Sequence, residues 1–351
     1  MATERLQDKI RGSLVGGAIG DAFGYPVEFV NSFEEIRAKY GEDGITDYDK
    51  SYPWLDDYLR HHKALFSDDT QMTLYSAEGL LEAERSGMEI APAICNAYLA
   101  WFGPQIGKKV KIAYKSDLLQ IDELNQRRAP GNTCLTSLFA IYNGKEPMNS
   151  SKGCGGVMRV APIGLYGASH GWPLEKTARI AGEAAELTHL HPMSTYSSAA
   201  FAVLCQIFVT AECVTRNTIK ECIDYVFMAL DIVYGPDAPA MDDFKALIRT
   251  AIRLEDNLLQ DWEVIENGLG GGWVAEETLA IAIFSVLRHI DDFKACMICA
   301  VNHGGDSDST GAVAGNLIGA ILGYDAIPAY FKDNIQLEDL LISMSDKLVI
   351  T

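Results

Sequence analysis

Residues 303–310 have the sequence HGGDSDST and contain the side chains whose types and spacing point most directly to chemistry. Asp306 and Asp308, with Ser309 beside them, offer hard oxygen ligands of the kind that Mg²⁺, Mn²⁺ and Ca²⁺ prefer. Asp and Ser are also common at helix N-termini, where they cap free backbone N–H groups. Taken alone, the segment predicts a metal site and a capped helix equally well.

A second acidic cluster, SDDT at residues 67–70, precedes a stretch with helical periodicity. The adjacent carboxylates of Asp68 and Asp69 repel each other, and neither an N-cap nor the helix dipole requires both. A dinuclear metal site, by contrast, needs several oxygen ligands because its ions lie only about 3.5–4 Å apart. The presence of two such clusters in one chain favours metal binding.

Glu28 lies just after GDAFGYP at residues 20–26, where a glycine and a proline end the first predicted helix. A loop carboxylate beside metal ions would serve as a mobile general acid or base. The alternative is a solvated surface glutamate, which is the commoner state of an isolated Glu. Its chemistry therefore depends on the acidic clusters lying nearby.

Residues 151–159, SKGCGGVMR, form a glycine-rich turn that enters a predicted helix. Backbones of this kind present N–H groups to phosphate. The spacing matches neither a Walker A loop nor a dinucleotide fingerprint, so kinase and Rossmann interpretations are weak. A tight turn without a ligand is the alternative.

His189 and His191, in THLHP at residues 188–192, would point to one side of an extended segment. They could bind zinc, but no third histidine or cysteine cluster supports such a site. We therefore expect His189 to hydrogen-bond a ligand. Cys296 and Cys299 fall in an apolar helical pattern, which favours buried free thiols over redox chemistry.

The charge balance argues against nucleic-acid binding. The 351 residues include 48 Asp and Glu against 29 Lys and Arg, a formal net charge of −19 at pH 7. A protein that grips phosphates needs a basic surface, and this composition leaves little material for one. With 48% hydrophobic and 22% charged residues, the chain is typical of a globular protein.

Several features predict a cytoplasmic protein without a membrane segment. The longest strongly apolar stretch, residues 199–211, contains Gln206 and is too short to span a bilayer. The apolar patch at residues 14–19 is bracketed by acidic residues and is no secretory signal. The eight cysteines lack regular spacing, which suits reduced thiols.

Helical periodicity dominates the chain and alternating strand patterns are scarce. We expect one all-α domain spanning residues 1–351, because its glycine- and proline-containing connections are too short for linkers. Apolar residues recur three or four apart in segments 5–19, 70–85, 90–102, 133–143, 174–187, 195–211, 217–231, 242–254, 276–289, 292–301 and 309–322.

Two segments, residues 12–24 and 311–323, carry glycine at every fourth position. In a helix this spacing places the glycines on one face, and each interior glycine costs about 1 kcal/mol relative to alanine. The simplest compensation is close packing of two backbones. If the stripes pack on each other, the two ends of the chain meet and the neighbouring polar residues share a centre.

Taken in order, these pieces resemble the ADP-ribosylglycohydrolase family over most of the chain. The resemblance rests on ordered motifs, which are more specific together than singly: GGAIGDAFGYPVE at 16–28, SDDT at 67–70, RAPGNT at 128–133, GCGGVMR at 153–159, THLHP at 188–192 and HGGDSDST at 303–310.

The resemblance implies an orthogonal bundle of helices with two Mg²⁺ ions in a cleft, although Mn²⁺ accepts the same oxygen ligands. It places metal ligands at Ser67, Asp68, Asp69, Asp306, Asp308 and Ser309, with Asp308 bridging. It implies catalytic roles for Glu28, Asp68 and Asp308. It assigns the diphosphate to Gly153, Gly155 and Gly156, and further ADP-ribose contacts to Gly131, Asn132 and His189. Trp273 is a candidate wall of the cleft, with the core as its alternative position.

By resemblance, the expected reaction is hydrolysis of the bond between ADP-ribose and an arginine side chain of a protein. Many family members have Thr as the last ligand, and Ser309 resembles the arginine-directed members. The alternatives are hydrolysis of O-linked ADP-ribose, on serine or O-acetyl-ADP-ribose, and a non-catalytic protein that binds ADP-ribose or neutralises a cognate ADP-ribosyltransferase toxin.

The stretch 40–66, with Tyr48, Tyr52, Trp54 and Tyr58, would shape the docking rim or pack as a surface loop.

Overall fold

The structure is a computed structural model that describes residues 2–51 and 62–350. Within these ranges β-structure is limited to two isolated bridges, Ala64–Ile335 and Gly153–Val274. The prediction of an all-α fold is therefore confirmed. The helices are α1 (Ala2–Gly24), α2 (Phe33–Tyr40), α3 (Asp68–Ser86), α4 (Ile90–Gln105), α5 (Asn132–Tyr142), α6 (Ala161–Ser169), α7 (Leu174–Glu186), α8 (Pro192–Thr210), α9 (Arg216–Tyr234), α10 (Met241–Leu254), α11 (Asp261–Gly268), α12 (Ala275–Arg288), α13 (Phe293–Val301), α14 (Ser307–Leu322), α15 (Ala329–Asn334) and α16 (Glu338–Lys347).

Each predicted helical segment overlaps an observed helix, but α2, α6, α11, α15 and α16 lie outside the segments chosen by periodicity. The reason is clearest for α6, where residues 161–167 are all buried and no polar face creates a periodic contrast. Helices α11 and α15 have 8 and 6 residues, too few for a periodic pattern to stand out.

The two glycine stripes pack on each other and bring α1 against α14. A Cβ atom placed on Gly12, Gly16 or Gly20 would overlap the carbonyl oxygen of Gly319, Gly315 or Gly311, respectively. The glycines therefore allow a backbone-to-backbone approach that no other residue permits. This confirms the predicted meeting of the two chain ends, and it sets the end of α1 beside the beginning of α14.

Helix α8 passes through the centre of the hydrophobic core. It is long and apolar enough to cross a membrane by length and composition, with a mean hydropathy of 1.3, but 89% of the relevant window is buried inside the protein. Its neighbours include α7, α6 and α12. Burial of this kind is what a core helix shows, so the resemblance to a membrane span is weak.

The predicted rim stretch divides into two parts. Tyr48 is only 8% exposed, packs against Phe23 and Phe331, and donates its hydroxyl hydrogen to the Phe331 carbonyl. A rim position for Tyr48 is therefore wrong: its aromatic surface is used in the core. Tyr52, Trp54 and Tyr58 lie outside the described residues.

Candidate metal centre and cleft

The N-terminus of α3 is held in place by a buried carboxylate on α1. Ser67 is the N-cap of α3 and accepts a hydrogen bond from the Asp69 N–H. Asp21 accepts hydrogen bonds from the Ser67 N–H at 2.7 Å and the Thr70 N–H at 2.9 Å, and also from the Thr70 hydroxyl. Asp21 therefore satisfies N–H groups that Asp68 and Asp69 would otherwise cap. It leaves both side chains available for other contacts.

The N-terminus of α14 presents its carboxylates in the same region. Asp306 is the N-cap residue but its side chain makes no capping hydrogen bond. Asp308 accepts from the Ser309 N–H at 2.9 Å, and the Ser309 hydroxyl donates to Asp69 at 2.7 Å. This last bond joins the two acidic clusters directly. The capped-helix interpretation accounts for Ser67 but not for Asp306.

Three carboxylates from two distant parts of the chain converge in this centre. Oxygen atoms of Glu28, Asp306 and Asp308 all lie within 4.8 Å of one another, and all three residues are buried. Glu28 is 7% exposed, and its Oε2 atom has no hydrogen-bond partner. Buried acceptors are normally satisfied, so an unpartnered carboxylate oxygen calls for a cation, a water molecule or a substrate group.

The electrostatics also favour a bound cation. Burial, reinforced by the charge of Asp308, raises the pKa of Asp68, Asp69 and Asp306 well above the ordinary value. The same causes raise the pKa of Glu28, and they raise that of Asp21 to about 7. Packed carboxylates resist ionisation because each charge is desolvated and repelled. A divalent cation would reverse this effect, and the oxygen-only donor set fits Mg²⁺ or Mn²⁺.

The loop that leads into α14 is shaped by close backbone contacts. Gly305 has φ +145°, and a side chain there would overlap the Gly271 carbonyl. The Asp306 N–H donates to that same carbonyl at 2.8 Å. His303 is fully buried, and burial lowers its pKa to about 4. His303 is therefore a neutral supporting residue below the loop.

The turn 128–132 completes one wall of the centre. Asp68 N–H donates to the Arg128 carbonyl, and the Gly131 N–H donates to the Asp68 carboxylate at 3.3 Å. Ala129 between them has φ +51°, a conformation that costs a non-glycine residue about 1–2 kcal/mol. The strain places Gly131 at the start of α5 with its N–H facing the acidic cluster.

A cleft of about 300 Å³ opens above the carboxylates. Among the described residues, its lining contains no lysine or arginine. It is lined by the predicted site residues Glu28, Asp68, Asp69, Gly131, Asn132, Gly153, Gly155, His189, Trp273, Asp306 and Ser309. Asp308 lies beneath it with Glu28 and Asp306, and Ser67 lies next to Asp308, to which it hydrogen-bonds.

A family model described as ADP-ribosylglycohydrolase matches residues 2–351. This chain belongs to the ADP-ribosylglycohydrolase family. A solved structure described as an ADP-ribosylglycohydrolase-related protein complex has the same fold, with a TM-score of 0.67 at 22% identity and coverage of 98% of each chain.

The chain matches several curated relatives over most of their length. The chain is 26% identical to an ADP-ribosyl-dinitrogen reductase glycohydrolase from Rhodospirillum rubrum, over 96% of this chain and 94% of the relative. It is 23% identical to ADP-ribosylarginine hydrolase Tri1 from Serratia proteamaculans, over 97% and 79%. It is 22% identical to ADP-ribosylhydrolase ARH3 from Homo sapiens, over 95% and 90%. Family membership is thus clear, whereas the substrates given in the names of the relatives differ.

The three glycines predicted to bind diphosphate occupy different positions in this chain. Gly153 and Gly155 line the cleft, and a side chain at Gly155 would come within 2.9 Å of His189. Gly156 does not line it: a Cβ atom there would overlap the Ser194 hydroxyl. Close packing against α8 accounts for Gly156, while a direct role in binding stays a prediction for Gly153 and Gly155.

The two histidines of THLHP have separate environments. His189 lines the cleft, and burial together with the charge of Arg159 lowers its pKa to about 3, so the ring is neutral. His191 is the N-cap of α8 and its Nδ1 atom accepts from the Met193 N–H. The capping bond explains His191 without zinc, and His189 keeps its predicted place beside the ligand.

Trp273 lies at the mouth of the cleft and is 46% exposed, so the core alternative is wrong. It stacks on Phe29, with ring centroids 5.9 Å apart, and Phe29 is 66% exposed. The sequence analysis missed Phe29 and the positioning role of Asp21. Their signals were an aromatic residue directly after the loop glutamate and an acidic residue inside a glycine-rich apolar helix.

Proposed function

We propose that this chain is a metal-dependent hydrolase that removes ADP-ribose from arginine side chains of proteins and so reverses the action of an ADP-ribosyltransferase. The observation that carries the proposal is the convergence of Glu28, Asp306 and Asp308 within 4.8 Å beneath an open cleft. Family membership supplies the reaction class. The electrostatics of the buried carboxylates supply the reason for a metal.

Six side chains would hold two Mg²⁺ ions, and Mn²⁺ would suit the same oxygens. When bound, the ions supply positive charge that neutralises the carboxylates and orients the hydroxyls of the ribose. The Ser309–Asp69 hydrogen bond already joins the two halves of the ligand set, and Asp308 lies between Ser67 and Asp306. The proposed ligands are Ser67, Asp68, Asp69, Asp306, Asp308 and Ser309.

Glu28 is placed to handle the proton of the reaction. Cleavage of a glycosidic bond builds positive charge on the ribose, and carboxylates near the anomeric carbon stabilise that charge. Burial raises the pKa of Glu28, and its Oε2 atom has no hydrogen-bond partner. We assign Glu28 as the group that transfers a proton between an attacking water and the leaving side chain.

The diphosphate would be recognised by backbone groups. The N-terminus of α5, at Gly131 and Asn132, opens into the cleft, and a helix N-terminus attracts an anion through its free N–H groups. Gly155 leaves room beside His189. Recognition of this kind suits a cleft whose described lining contains no basic side chain.

The aromatic pair at the mouth supports arginine as the linked residue. Phe29 and Trp273 are partly exposed and line the cleft together with Glu28, and aromatic rings attract guanidinium groups through cation–π contact. The relative named ADP-ribosylarginine hydrolase points the same way, although ARH3 is equally distant. We expect Trp273→Ala to raise KM for the arginine-linked substrate more than it lowers kcat.

The deciding experiment measures ADP-ribose release from an arginine-modified protein with Mg²⁺ and with EDTA. Asp308→Ala should abolish metal-dependent release because it removes the proposed bridging ligand. Asp243→Ala, an exposed carboxylate on α10, is the matched control and should keep wild-type activity. Equal release by Asp308→Ala and the wild type would overturn the proposed role of this centre.

A serine-linked conjugate should be assayed in parallel. Preferential release from serine would replace the arginine assignment with O-linked hydrolysis. ADP-ribose binding without release from either conjugate would instead indicate a non-catalytic binding protein. Partner binding that survives Asp308→Ala would identify a toxin-neutralising role of that kind.

A further inference from the structure

A second group of ligand-type side chains lies where α11, α12 and α13 meet. Asp261 is the first residue of α11, His289 follows the last residue of α12, and Cys299 lies within α13. One carboxylate oxygen, one imidazole nitrogen and the thiol sulfur all lie within 4.8 Å of one another. None of these residues belongs to the carboxylate centre.

The three side chains contact one another around the Asp261 carboxylate. The His289 Nε2 atom lies 2.7 Å from the Asp261 Oδ2 atom. The Arg288 Nε–H donates to the other carboxylate oxygen, Oδ1, at 3.0 Å. A metal ion would take the place of the proton shared by Asp261 and His289, while Arg288 would continue to hold the second oxygen.

The carboxylate is ionised although it is partly buried. Burial alone would raise the pKa of Asp261, but the hydrogen bond from His289 and the charge of Arg288 hold it below the ordinary value. Cys299 is only 2% exposed, so its sulfur is largely shielded from bulk solvent. The Cys299 thiol also hydrogen-bonds the Asp261 carboxylate, so a cation bound to all three residues would displace the thiol proton.

Access to this group comes from a cavity of about 370 Å³ that is separate from the cleft. Asp261 and Cys299 both line it, so a water molecule has room to provide a fourth ligand. Glu42 and Asp43 line the same cavity and make its potential more negative, which favours the entry of a cation. Arg288 opposes that entry but already interacts with Asp261.

We propose that Asp261, His289 and Cys299 form a second metal site that binds Zn²⁺ with an open fourth position. Sulfur and imidazole ligands select Zn²⁺ over Mg²⁺, and three protein ligands with one water form a common zinc arrangement. In a tetrahedral site the ligand atoms lie about 3.3–3.8 Å apart. The Asp261–His289 pair, now 2.7 Å apart, would therefore open by about 0.6 Å.

The site would stabilise the wall that supports the carboxylate centre. Helix α11 also carries Glu266, which accepts hydrogen bonds from the N–H groups of Gly304 at 2.8 Å and Phe33 at 2.9 Å. Zinc at the start of α11 would tie that helix to α12 and α13. The loop that begins at Gly304 would thereby gain a firmer support.

Titration with Co²⁺ tests the site, because a thiolate bound to Co²⁺ gives a charge-transfer absorption in the near ultraviolet. The full chain is titrated in excess Mg²⁺, which keeps the hard-oxygen centre occupied. We expect one Co²⁺ per chain with this absorption, and its displacement by Zn²⁺. Cys299→Ser should remove the absorption.

Two cysteine controls separate this site from other thiols. Cys154→Ser, in the cleft, and Cys213→Ser, on the surface, should both keep the absorption. Absence of the absorption from the wild type, its persistence in Cys299→Ser, or its loss in Cys154→Ser would each overturn the proposal.

A second variant guards against misfolding of Cys299→Ser, whose substitution is buried. His289→Gln changes a side chain that is 28% exposed. It should weaken Co²⁺ affinity at least about ten-fold while the circular dichroism spectrum stays that of the wild type, since even indirect support of a ligand is worth about 10–100-fold. Unchanged affinity in a folded His289→Gln variant would contradict the assignment.

Discussion

The two polar clusters of this protein handle burial in opposite ways. Glu28, Asp306 and Asp308 converge without a basic side chain among the described residues that line the cleft, and burial raises the pKa of each. Asp261 instead receives hydrogen bonds from Arg288 and His289, which lower its pKa. The first cluster lacks positive charge, whereas the second is already paired.

The contrast shows that proximity of ligand-type side chains does not by itself define their role. A cluster of buried carboxylates is unfavourable unless a cation or protons neutralise it, and the described lining of the cleft supplies no basic side chain to do so. A carboxylate paired with arginine already contributes to the fold. The first cluster therefore needs a cation or protons to be stable, whereas the second is stable without either.

The largest expected effect comes from Asp21→Asn, which tests whether the first cluster depends on positioning by α1. The two Asp21 oxygens now accept hydrogen bonds from two backbone N–H groups. In the asparagine variant, the NH₂ group would replace one of these oxygens and face an N–H donor. We expect a loss of about 2–4 kcal/mol in the free energy of unfolding and about 10–100-fold weaker Mg²⁺ binding. Chemical denaturation and calorimetric titration measure the two effects.

Asp8→Asn is the matched control for Asp21→Asn. Asp8 also lies on α1 and accepts a backbone hydrogen bond, from Asp325, far from the cleft. Its Mg²⁺ affinity should equal that of the wild type. Equal affinities in all three proteins would show that the first cluster forms without support from Asp21.

Arg288→Ala tests the second cluster. Arg288 donates to Asp261 and to the carbonyls of Glu255 and Leu259, so its removal leaves several acceptors unpaired. We expect a loss of about 2 kcal/mol, after allowance for partial exposure, with Mg²⁺ affinity unchanged. Urea denaturation of Arg288→Ala beside Arg253→Ala, an exposed arginine on α10, measures the difference.

The pH dependence of metal stabilisation is the smallest expected effect and the sharpest distinction between the clusters. Burial raises the pKa of Asp21 to about 7, so the metal-free protein loses the corresponding stability as pH rises from about 4 to 7. Asp261 has a lowered pKa, and its contribution is lost instead as pH falls.

Added Mg²⁺ should therefore stabilise the protein more at pH 8 than at pH 6, by about 1 kcal/mol, because protons compete with the metal at the lower pH. Thermal denaturation with Mg²⁺ and with EDTA at both pH values measures this difference. Asp308→Ala should show no Mg²⁺ dependence at either pH. A larger Mg²⁺ effect at pH 6 would contradict the pKa directions of the first cluster.

Much of the fold followed from local patterns in the sequence. Long amphipathic helices such as α7 and α10 have an apolar face that recurs every three or four residues. The glycine stripes predicted the α1–α14 contact because their cost in a helix requires close packing. Helix α6 escaped prediction because its buried residues leave no contrast between faces.

The candidate site was accessible from the sequence because its ligands occur in two short motifs at predicted helix starts. The roles of Asp21 and Phe29 became clear only in the structure, since each acts through a partner distant in the chain. Gly156 and His191 belong to motifs but pack or cap instead, and only their neighbours reveal this.

The sequence by itself determined most of the long helices, the two acidic helix starts and the family, because these depend on residue types at short spacing. The tertiary structure decided which carboxylates meet. The α1–α14 interface sets Asp21 beside α3 and brings Glu28 to Asp306 and Asp308. Convergence of like charges is unfavourable locally, so it arises only where packing of the whole chain outweighs their repulsion.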